Sequence, residues 1–306
     1  MIKHTLEIAE RGARLSLRRK QLLIDFSREE EPRSFACEDI GLLVLQHPAI
    51  TISSAVLCAL LEAGAAVLFC DNRHQPQGLL LPTQSRTELV PRLHAQISAA
   101  VPVKKRIWQN LIQAKLRAQS RLVQEPARQK LLKLSASVKS GDPDNREGVG
   151  ARIYWSAAFP EIYAMGDQRS PDGDSWFNRA LNYGYAVIRA AMARNIVSAG
   201  LHPALGVHHH NRDNPFCLAD DLMEPFRPLV DGTVRELFAM RSHEPANPTL
   251  LPEDRRSLLS LLTHEMAHKE TSGPLDVVLP RYVNGIYRIM AGESRKLEIP
   301  VSKQIS

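Results

Sequence analysis

The first ninety residues carry short apolar runs that predict strands. The pairs Leu15/Leu17 and Leu22/Ile24 repeat with period two, which is the spacing of a strand with one buried face. Residues 50–62 instead follow the three-to-four spacing of a helix. We therefore expect a β-rich amino-terminal region that also contains one helix.

Beyond this region the apolar spacing is helical. Ile107, Leu111, Ala114 and Ala118 fall on one stripe, which predicts a helical segment over 104–139. Similar patterns predict further helices over 145–159, 175–199, 218–243 and 253–270.

These patterns place the chain in the α+β multidomain class. A chain of 306 residues is long enough for two domains. We expect a small β-rich amino-terminal domain over 1–90, a linker over 91–103 and a larger all-α carboxy-terminal domain over 104–306. Only the helical domain carries clustered ionisable motifs.

The net charge of +6 is concentrated in one stretch of the chain. Residues 101–140 hold ten Lys or Arg residues against the single acid Glu125, so the rest of the chain is net acidic. Such a segment repels itself unless an anion lies nearby, and nucleic acid is the commonest such partner. A solvated helix face is the alternative. The predicted DNA-binding residues are Lys104, Lys105, Arg106, Lys115, Arg117, Arg121, Arg128 and Lys130.

The sequence gives no sign of secretion or of a membrane span. No stretch reaches roughly 18 unbroken apolar residues, and the amino terminus lacks the apolar core of a signal peptide. The cysteines form no CxxC pair, so zinc knuckles and redox motifs are not indicated. We expect a cytoplasmic protein whose four thiols are reduced; these are Cys37, Cys58, Cys70 and Cys217.

Three segments of the helical region carry ionisable residues in patterns that bind metals or transfer protons. In DNREGVGARIYW, Glu147 lies in the first turn of a predicted helix, although such an acid is ordinarily only a partner of the helix dipole. In HPALGVHHHNRDNPF, the histidines His208, His209 and His210 are consecutive, so at most one or two act together. A solvated histidine cluster is the alternative for this second segment.

The third segment is LADDLMEPFRPLVD, in which Asp221 and Glu224 share one side of a helix. Two carboxylates held together repel unless a cation lies between them, and Arg227 is the alternative neutralising group. Carboxylates with an imidazole and no thiolate favour Mg²⁺ or Mn²⁺. Beside the basic segment, such an ion indicates phosphodiester chemistry.

In this order and spacing, the three segments resemble the motifs of the CRISPR-associated integrase family, often called CRISPR-associated protein one, the metal-dependent subunit of the spacer-acquisition complex. The resemblance covers nearly all of the chain and is nearest to the form found beside type II systems. It implies an endonuclease and integrase that joins short duplex DNA into a repeat array by attack of a 3′-hydroxyl on a phosphodiester. It also implies a homodimer that binds double-stranded DNA and a small dimeric partner subunit. Dimerisation or partner contacts would then fall to the β-rich domain, and catalysis to the helical domain.

The resemblance also implies roles for individual residues. Glu147 and Glu224 correspond to the acidic metal ligands and, with His209, to the catalytic residues. His209 is the ligand histidine when counted from Gly206, and His208 is its rival. Asp221 corresponds to an acid that supports the same ion.

A competing motif lies near the carboxyl terminus. His264, Glu265 and His268 form an HExxH sequence, the zinc-peptidase signature, on a segment that we predict to be helical, with Glu293 as the only candidate third ligand. A peptidase leaves the basic segment and the other three motifs unexplained, so we interpret this segment as a solvated helix turn. A DNA-binding scaffold without catalysis is the remaining alternative, and the intact acids and histidines argue against it.

Overall fold

The computed structural model describes residues 3–26, 31–71, 73–83, 88–241, 248–268 and 272–303. The amino-terminal part contains β1 (His4–Ile8), β2 (Arg14–Arg18), β3 (Gln21–Asp25), β4 (Arg33–Ala36), β5 (Ile40–Leu45), β6 (Thr51–Ile52), α1 (Ser54–Glu62), β7 (Ala66–Cys70) and β8 (Pro76–Leu80).

Strand β5 lies inside the first sheet, whose strand order is β1-β5-β7-β8. It pairs in parallel with β1 and β7, and all six of its residues are buried. A strand that is apolar at every position is expected where both faces of a parallel sheet are covered. The second sheet has the order β4-β3-β2-β6 and is built around the β2–β3 hairpin.

The two faces of the first sheet pack against different parts of the protein. Leu43 and Leu45 belong to an apolar cluster shared with the second sheet and α1. Leu42 and Val44 point the other way, because side chains alternate along a strand, and they join the core of the helical part. The predicted β-rich region is therefore confirmed, and its sheet shares a core with the helices.

The rest of the described chain is mainly helical, which confirms the predicted class of fold. Among the residues described, no helix combines the length and the apolar content that a membrane span requires. The elements are α2 (Leu89–Ser98), α3 (Val101–Ser120), α4 (Ala127–Ser137), α5 (Arg146–Ala158), α6 (Pro160–Ala164), α7 (Trp176–Ser198), α8 (Cys217–Met223), α9 (Arg227–Met240), α10 (Pro252–Leu259), β9 (Glu265–Ala267), β10 (Gly273–Pro274), α11 (Leu275–Met290) and β11 (Val301–Ser302).

Helix α7 is the central element, and nearly all of its residues are buried. Its first turn is capped by Ser175, whose hydroxyl accepts a hydrogen bond from the Asn178 N–H at 3.3 Å. Helix α9 approaches α7 closely at Gly184, where a Cβ atom would overlap the side chain of Val230. The helix predicted over 175–199 is confirmed, and it packs against the first sheet as well as against α8 to α11.

Proline interrupts two of the predicted helices. The segment 104–139 divides into α3 and α4, with Pro126 directly before α4. The segment 218–243 divides into α8 and α9, which are joined by the 3₁₀ turn Glu224–Phe226. Because proline cannot donate the N–H bond of a continuous helix, Pro225 keeps this turn tighter than an α-helix.

Two other segments also differ from their predictions. Helix α2 and the start of α3 occupy the segment 91–103, where we predicted a linker. The prediction of one helix over 253–270 is wrong, because α10 ends at Leu259 and a 3₁₀ turn leads into β9. Strand β9 lies between β10 and β11 in a small antiparallel sheet.

Arg255 of α10 connects the helical part to β1. Its side chain is 2% exposed, and its Nε donates a hydrogen bond to Glu7 Oε1 at 2.9 Å. The same guanidinium also pairs with Glu10 and donates to the Leu250 carbonyl at 2.6 Å. The Tyr183 hydroxyl of α7 donates to Glu7 at 3.1 Å. A buried charge is tolerated here because every side of it is paired.

Candidate active site

Glu147 lies in the first turn of α5, and its backbone is fixed by the preceding loop. The Asp142 carboxylate accepts hydrogen bonds from the N–H groups of Arg146 at 2.8 Å and Glu147 at 3.0 Å. Asn145 caps the same helix by accepting from the Gly148 N–H at 3.1 Å. Because these side chains satisfy the helix end, the Glu147 carboxylate is left to point away from it.

Glu224 lies in the tight turn between α8 and α9, where its side chain is only 5% exposed. Arg227 Nε donates to Glu224 Oε1 at 2.7 Å. Burial would raise the pKa of Glu224, but the charges of Arg227 and Lys115 outweigh it and hold the pKa well below its ordinary value. Glu224 is therefore an ionised carboxylate inside the protein.

Lys115 of α3 joins the two predicted acidic ligands. Its Nζ lies 2.7 Å from Glu147 Oε1 and 2.5 Å from Glu224 Oε2. Burial would lower the pKa of Lys115, but the carboxylates of Glu224 and Glu147 raise it above its ordinary value. We predicted Lys115 as part of an exposed basic segment, whereas the structure buries it between these acids.

Asp221 of α8 is fully buried behind the histidine loop. Its Oδ2 accepts from the N–H groups of Val207 at 2.7 Å and His208 at 2.9 Å. Its Oδ1 accepts from the His209 N–H at 3.2 Å and lies 2.6 Å from His209 Nδ1. A side chain at Gly206 would overlap this carboxylate and the His209 carbonyl, so only glycine fits there.

The two rival histidines have different partners. The His208 ring stacks on Trp108 of α3, with the centroids 4.0 Å apart and the planes 2° apart. The His209 ring meets Trp108 edge-on at 5.5 Å, and its Nδ1 is held by Asp221. Among the described residues, His209 Nε2 has no hydrogen-bond partner, so it is the nitrogen left to bind a ligand.

These partners shift the pKa values of the two histidines in opposite directions. The hydrogen bond to Asp221 raises the pKa of His209 against the opposing effect of burial, and the charges of Glu224 and Glu147 add to the rise. Burial lowers the pKa of His208, and the neighbouring His209 lowers it further. The electrostatic contribution of Glu224 and Glu147 to His209 indicates that the three predicted ligands share one region.

A second layer of polar side chains lies behind Glu224. The Arg227 guanidinium lies over the Tyr185 ring, 4.7 Å from its centroid. The buried Asp231 accepts hydrogen bonds from the hydroxyls of Tyr185 and, at 2.8 Å, Tyr154. Burial raises the pKa of Asp231 to about 6, although both hydroxyls oppose the rise. Our sequence reasoning missed Asp231 and both tyrosines; the two-turn spacing from Glu224 to Asp231 was the available signal.

The donor chemistry of this region suits a hard divalent ion. One ammonium already reaches an oxygen of both Glu147 and Glu224, so a single cation position serves both carboxylates. As the side chains stand, no three His, Cys, Asp or Glu residues in the described ranges are grouped tightly enough to enclose an ion. The Lys115 ammonium lies between the two acids.

The remaining predicted DNA-binding residues lie on α3, on α4 and in the turn between them. Lys105 and Arg106 at the start of α3 are exposed, as are Arg117 and Arg121 at its end, and Lys104 is half-buried. On α4, Arg128 and Lys130 are exposed. The outer surface of α3 and α4 is therefore positively charged, as the sequence predicts.

The HExxH segment does not form a peptidase site. Residues 265–267 form strand β9, so its two histidines, four residues apart, lie about 13 Å from each other along the chain. His264 Nε2 instead lies 2.7 Å from Ser302 Oγ, and Glu265 pairs with Lys303 at 3.5 Å. A zinc peptidase needs both histidines on one face of a helix. Our interpretation of this segment as a helix turn is wrong, and the peptidase alternative is not supported.

Comparison with known proteins decides the family. A family model described as "CRISPR associated protein Cas1" matches residues 6–249. A CRISPR-associated endonuclease Cas1 from Neisseria meningitidis is 34% identical over 284 residues, which cover 91% of each chain. The chain belongs to the Cas1 family. The resemblance on which the sequence prediction rests is thereby confirmed, and the matched region includes Glu147, His209 and Glu224 but not the HExxH segment.

Solved structures share the fold of this Cas1 chain. A casposase bound to its integration product aligns with a TM-score of 0.78 and 21% identity, covering 97% of this chain and 92% of that one. A chain of a Cas6-RT-Cas1–Cas2 complex aligns with a TM-score of 0.75 and 17% identity, covering 95% of this chain and 35% of that one. At these identities the likeness concerns the fold.

Proposed function

We propose that this Cas1 chain is a divalent-metal-dependent DNA endonuclease and integrase that joins short duplex DNA to a repeat array. The observation that best supports this proposal is that Glu147 and Glu224 approach the same cation. Their carboxylates lie 2.7 Å and 2.5 Å from the Lys115 ammonium. His209 keeps a free Nε2 and feels the charges of Glu224 and Glu147, and exposed basic residues lie on α3 and α4.

Glu147, Glu224 and His209 would hold the ion, which we propose to be Mg²⁺ or Mn²⁺. Carboxylates suit Mg²⁺, and the imidazole makes Mn²⁺ acceptable. When bound, such an ion lowers the pKa of a hydroxyl group and stabilises negative charge on a phosphoryl transition state. His209 is the better ligand of the two histidines because Asp221 fixes its Nδ1 and orients its Nε2.

The other residues of the site position these three. Asp221 holds the histidine loop through three backbone N–H groups, so we assign it a positioning role beside the ion. Arg227 orients Glu224, and the ring of Tyr185 supports Arg227. The exposed basic residues would hold DNA phosphates without reading the base sequence.

The proposed partners follow from the named relatives and the charge distribution. A structural neighbour is part of a Cas1–Cas2 complex, and another is a casposase bound to its integration product. We propose that this chain likewise assembles as a homodimer with a small dimeric Cas2-type subunit on double-stranded DNA, in the cytoplasm. A DNA-binding scaffold without catalysis is disfavoured, because the chain belongs to the Cas1 family and a relative 34% identical to it is named an endonuclease.

The direct test is a joining assay with a short duplex that carries free 3′-hydroxyls and a plasmid that carries the repeat. Wild type should join the two with Mg²⁺ or Mn²⁺ and fail in EDTA. Glu147→Gln and Glu224→Gln should abolish joining while DNA binding persists, and the exposed Glu161→Gln of α6 is the matched control. Full joining by either active-site variant would refute the proposed site.

A further inference from the structure

Lys115 is placed unusually for a residue of a basic segment that is expected to face DNA. The residue is 8% exposed, and its ammonium contacts one oxygen of each proposed acidic ligand. Glu224 Oε2 accepts no well-aligned hydrogen bond in the described structure, so the charge of Lys115 at 2.5 Å is its close partner. Lys115 therefore compensates a buried carboxylate that would otherwise be unpaired on that side.

The position of this ammonium conflicts with that of a metal ion. The Lys115 Nζ atom lies 2.7 Å from one carboxylate and 2.5 Å from the other, in the space between Glu147 and Glu224. An ion held by both acids would compete with the ammonium for this space. Two cations in one partly buried site repel strongly. The ammonium and the ion therefore exclude each other from this point.

Helix α3 is anchored close to this point. When an ion binds, the Lys115 side chain must therefore move while the helix stays in place. Trp108 lies two turns before Lys115 on the same face of α3 and stacks on His208 at 4.0 Å. Leu111 and Ile112, between them, are fully buried. The four-carbon stem of Lys115 has the rotational freedom that the helix lacks.

We infer that Lys115 is the internal counter-ion of the metal site, which holds Glu147 and Glu224 together before the metal binds and is displaced when it binds. This inference rests on the proposed function, because it requires those two residues to be metal ligands. It makes Lys115 a positioning residue that lowers metal affinity, rather than a DNA-binding residue of the outer surface. Substituting it should change metal binding even without DNA.

The test is calorimetric titration of the full chain with Mn²⁺, without DNA. Lys115→Met removes the charge and keeps most of the stem, so it should bind Mn²⁺ about tenfold more tightly than wild type. Lys115→Arg keeps the charge and should not bind more tightly. Lys296→Met is the matched control, since it removes one exposed lysine charge outside the basic segment and should bind Mn²⁺ like wild type.

Thermal unfolding gives a second measurement that does not depend on activity. In EDTA, Lys115→Met should melt below wild type because its two carboxylates repel, and Mn²⁺ should stabilise it more than it stabilises wild type. If Lys115→Met does not fold in EDTA, Lys115→Gln takes its place in both measurements. Unchanged or weaker Mn²⁺ affinity in the charge-removing variants would overturn the inference.

The same titration separates this inference from the proposed function. If wild type binds Mn²⁺ and Glu147→Gln does not, the metal site stands whatever Lys115→Met does. If wild type binds no Mn²⁺ in a Glu147-dependent way, the proposed metal site fails and the role of Lys115 fails with it.

Discussion

Asp221 Oδ1 lies 2.6 Å from His209 Nδ1, and the same carboxylate accepts backbone N–H groups of residues 207–209. One buried acid thus sets both the loop and the ring orientation. Asp221→Asn cannot accept all four of these bonds, so we expect Mn²⁺ affinity to fall about 10- to 100-fold and joining to fall with it. Titration calorimetry measures the first and the joining assay the second. Asp213→Asn, in the same loop but exposed, should behave like wild type in both.

Substitution should distinguish the roles of the two neighbouring histidines. His209→Ala removes the free Nε2 and should abolish the Mn²⁺ binding that wild type shows at this site. His208→Ala should keep Mn²⁺ binding but lose about 0.5–1.5 kcal/mol of stability, because it removes the ring that stacks on Trp108. Mn²⁺ titration and denaturant unfolding measure the two effects. The opposite pattern, with binding lost only in His208→Ala, would exchange the two roles.

DNA affinity should depend steeply on salt through the exposed basic residues. The double variant Arg117→Gln/Arg121→Gln should bind duplex DNA more weakly and reduce the slope of log affinity against log salt by about one for each phosphate that is no longer neutralised. Filter binding or fluorescence anisotropy at several salt concentrations gives the slope. Arg281→Gln on α11 removes an exposed charge from another helix and should leave the slope unchanged. A flat salt response in wild type would contradict the phosphate-binding role.

The HExxH segment should be irrelevant to DNA joining. Glu265 is exposed on β9 and pairs with Lys303, outside the group formed by Glu147, Glu224 and Lys115. Glu265→Ala should therefore join DNA at the wild-type rate and lose no more than about 0.5 kcal/mol of stability, as for an ordinary surface change. Zinc-dependent cleavage of a peptide that disappears in this variant would restore the peptidase hypothesis.

The buried Asp231 should make stability depend on pH. Its pKa is about 6 in the folded protein against an ordinary 3.8, so between these values the folded state binds the extra proton. Folding stability from this group is therefore present at low pH and is lost as pH rises through about 6, by up to about 3 kcal/mol. Asp231→Asn has no such proton, so the difference in unfolding free energy between the two proteins should change from about pH 4 to just above pH 6. A constant difference would show that Asp231 does not titrate there.

The sequence predicts the elements whose periodicity is long and uninterrupted. Helix α7 and the acid in the first turn of α5 are examples, because a buried stripe and a capping residue are local signals. Strand β9 is the opposite case. His264 to His268 fit a helical signature, but pairing with β10 and β11 makes the segment a strand, and the β11 residue Val301 is 34 residues from its partner Ala267.

The buried contacts of the site could not be predicted from local sequence patterns either. Lys115 has the same charge as its exposed neighbours, and only the packing of α3 against α5 and the turn after α8 shows that it is buried. The backbone groups that Asp221 binds belong to a loop twelve to fourteen residues before it in the chain. The roles of the neighbouring histidines differ because Trp108, about one hundred residues away, selects one ring for stacking.

The buried guanidinium of Arg255 determines how this protein can be divided for study. A fragment of residues 104–306 would leave Arg255 and Tyr183 without Glu7, and it would expose the surface of α7 that the first sheet covers. An unpaired buried charge and a stripped apolar helix favour aggregation over folding. Proteins prepared for crystallography or for mapping partner contacts should therefore keep the amino-terminal strands, and the site should be separated from them by point substitution rather than by truncation.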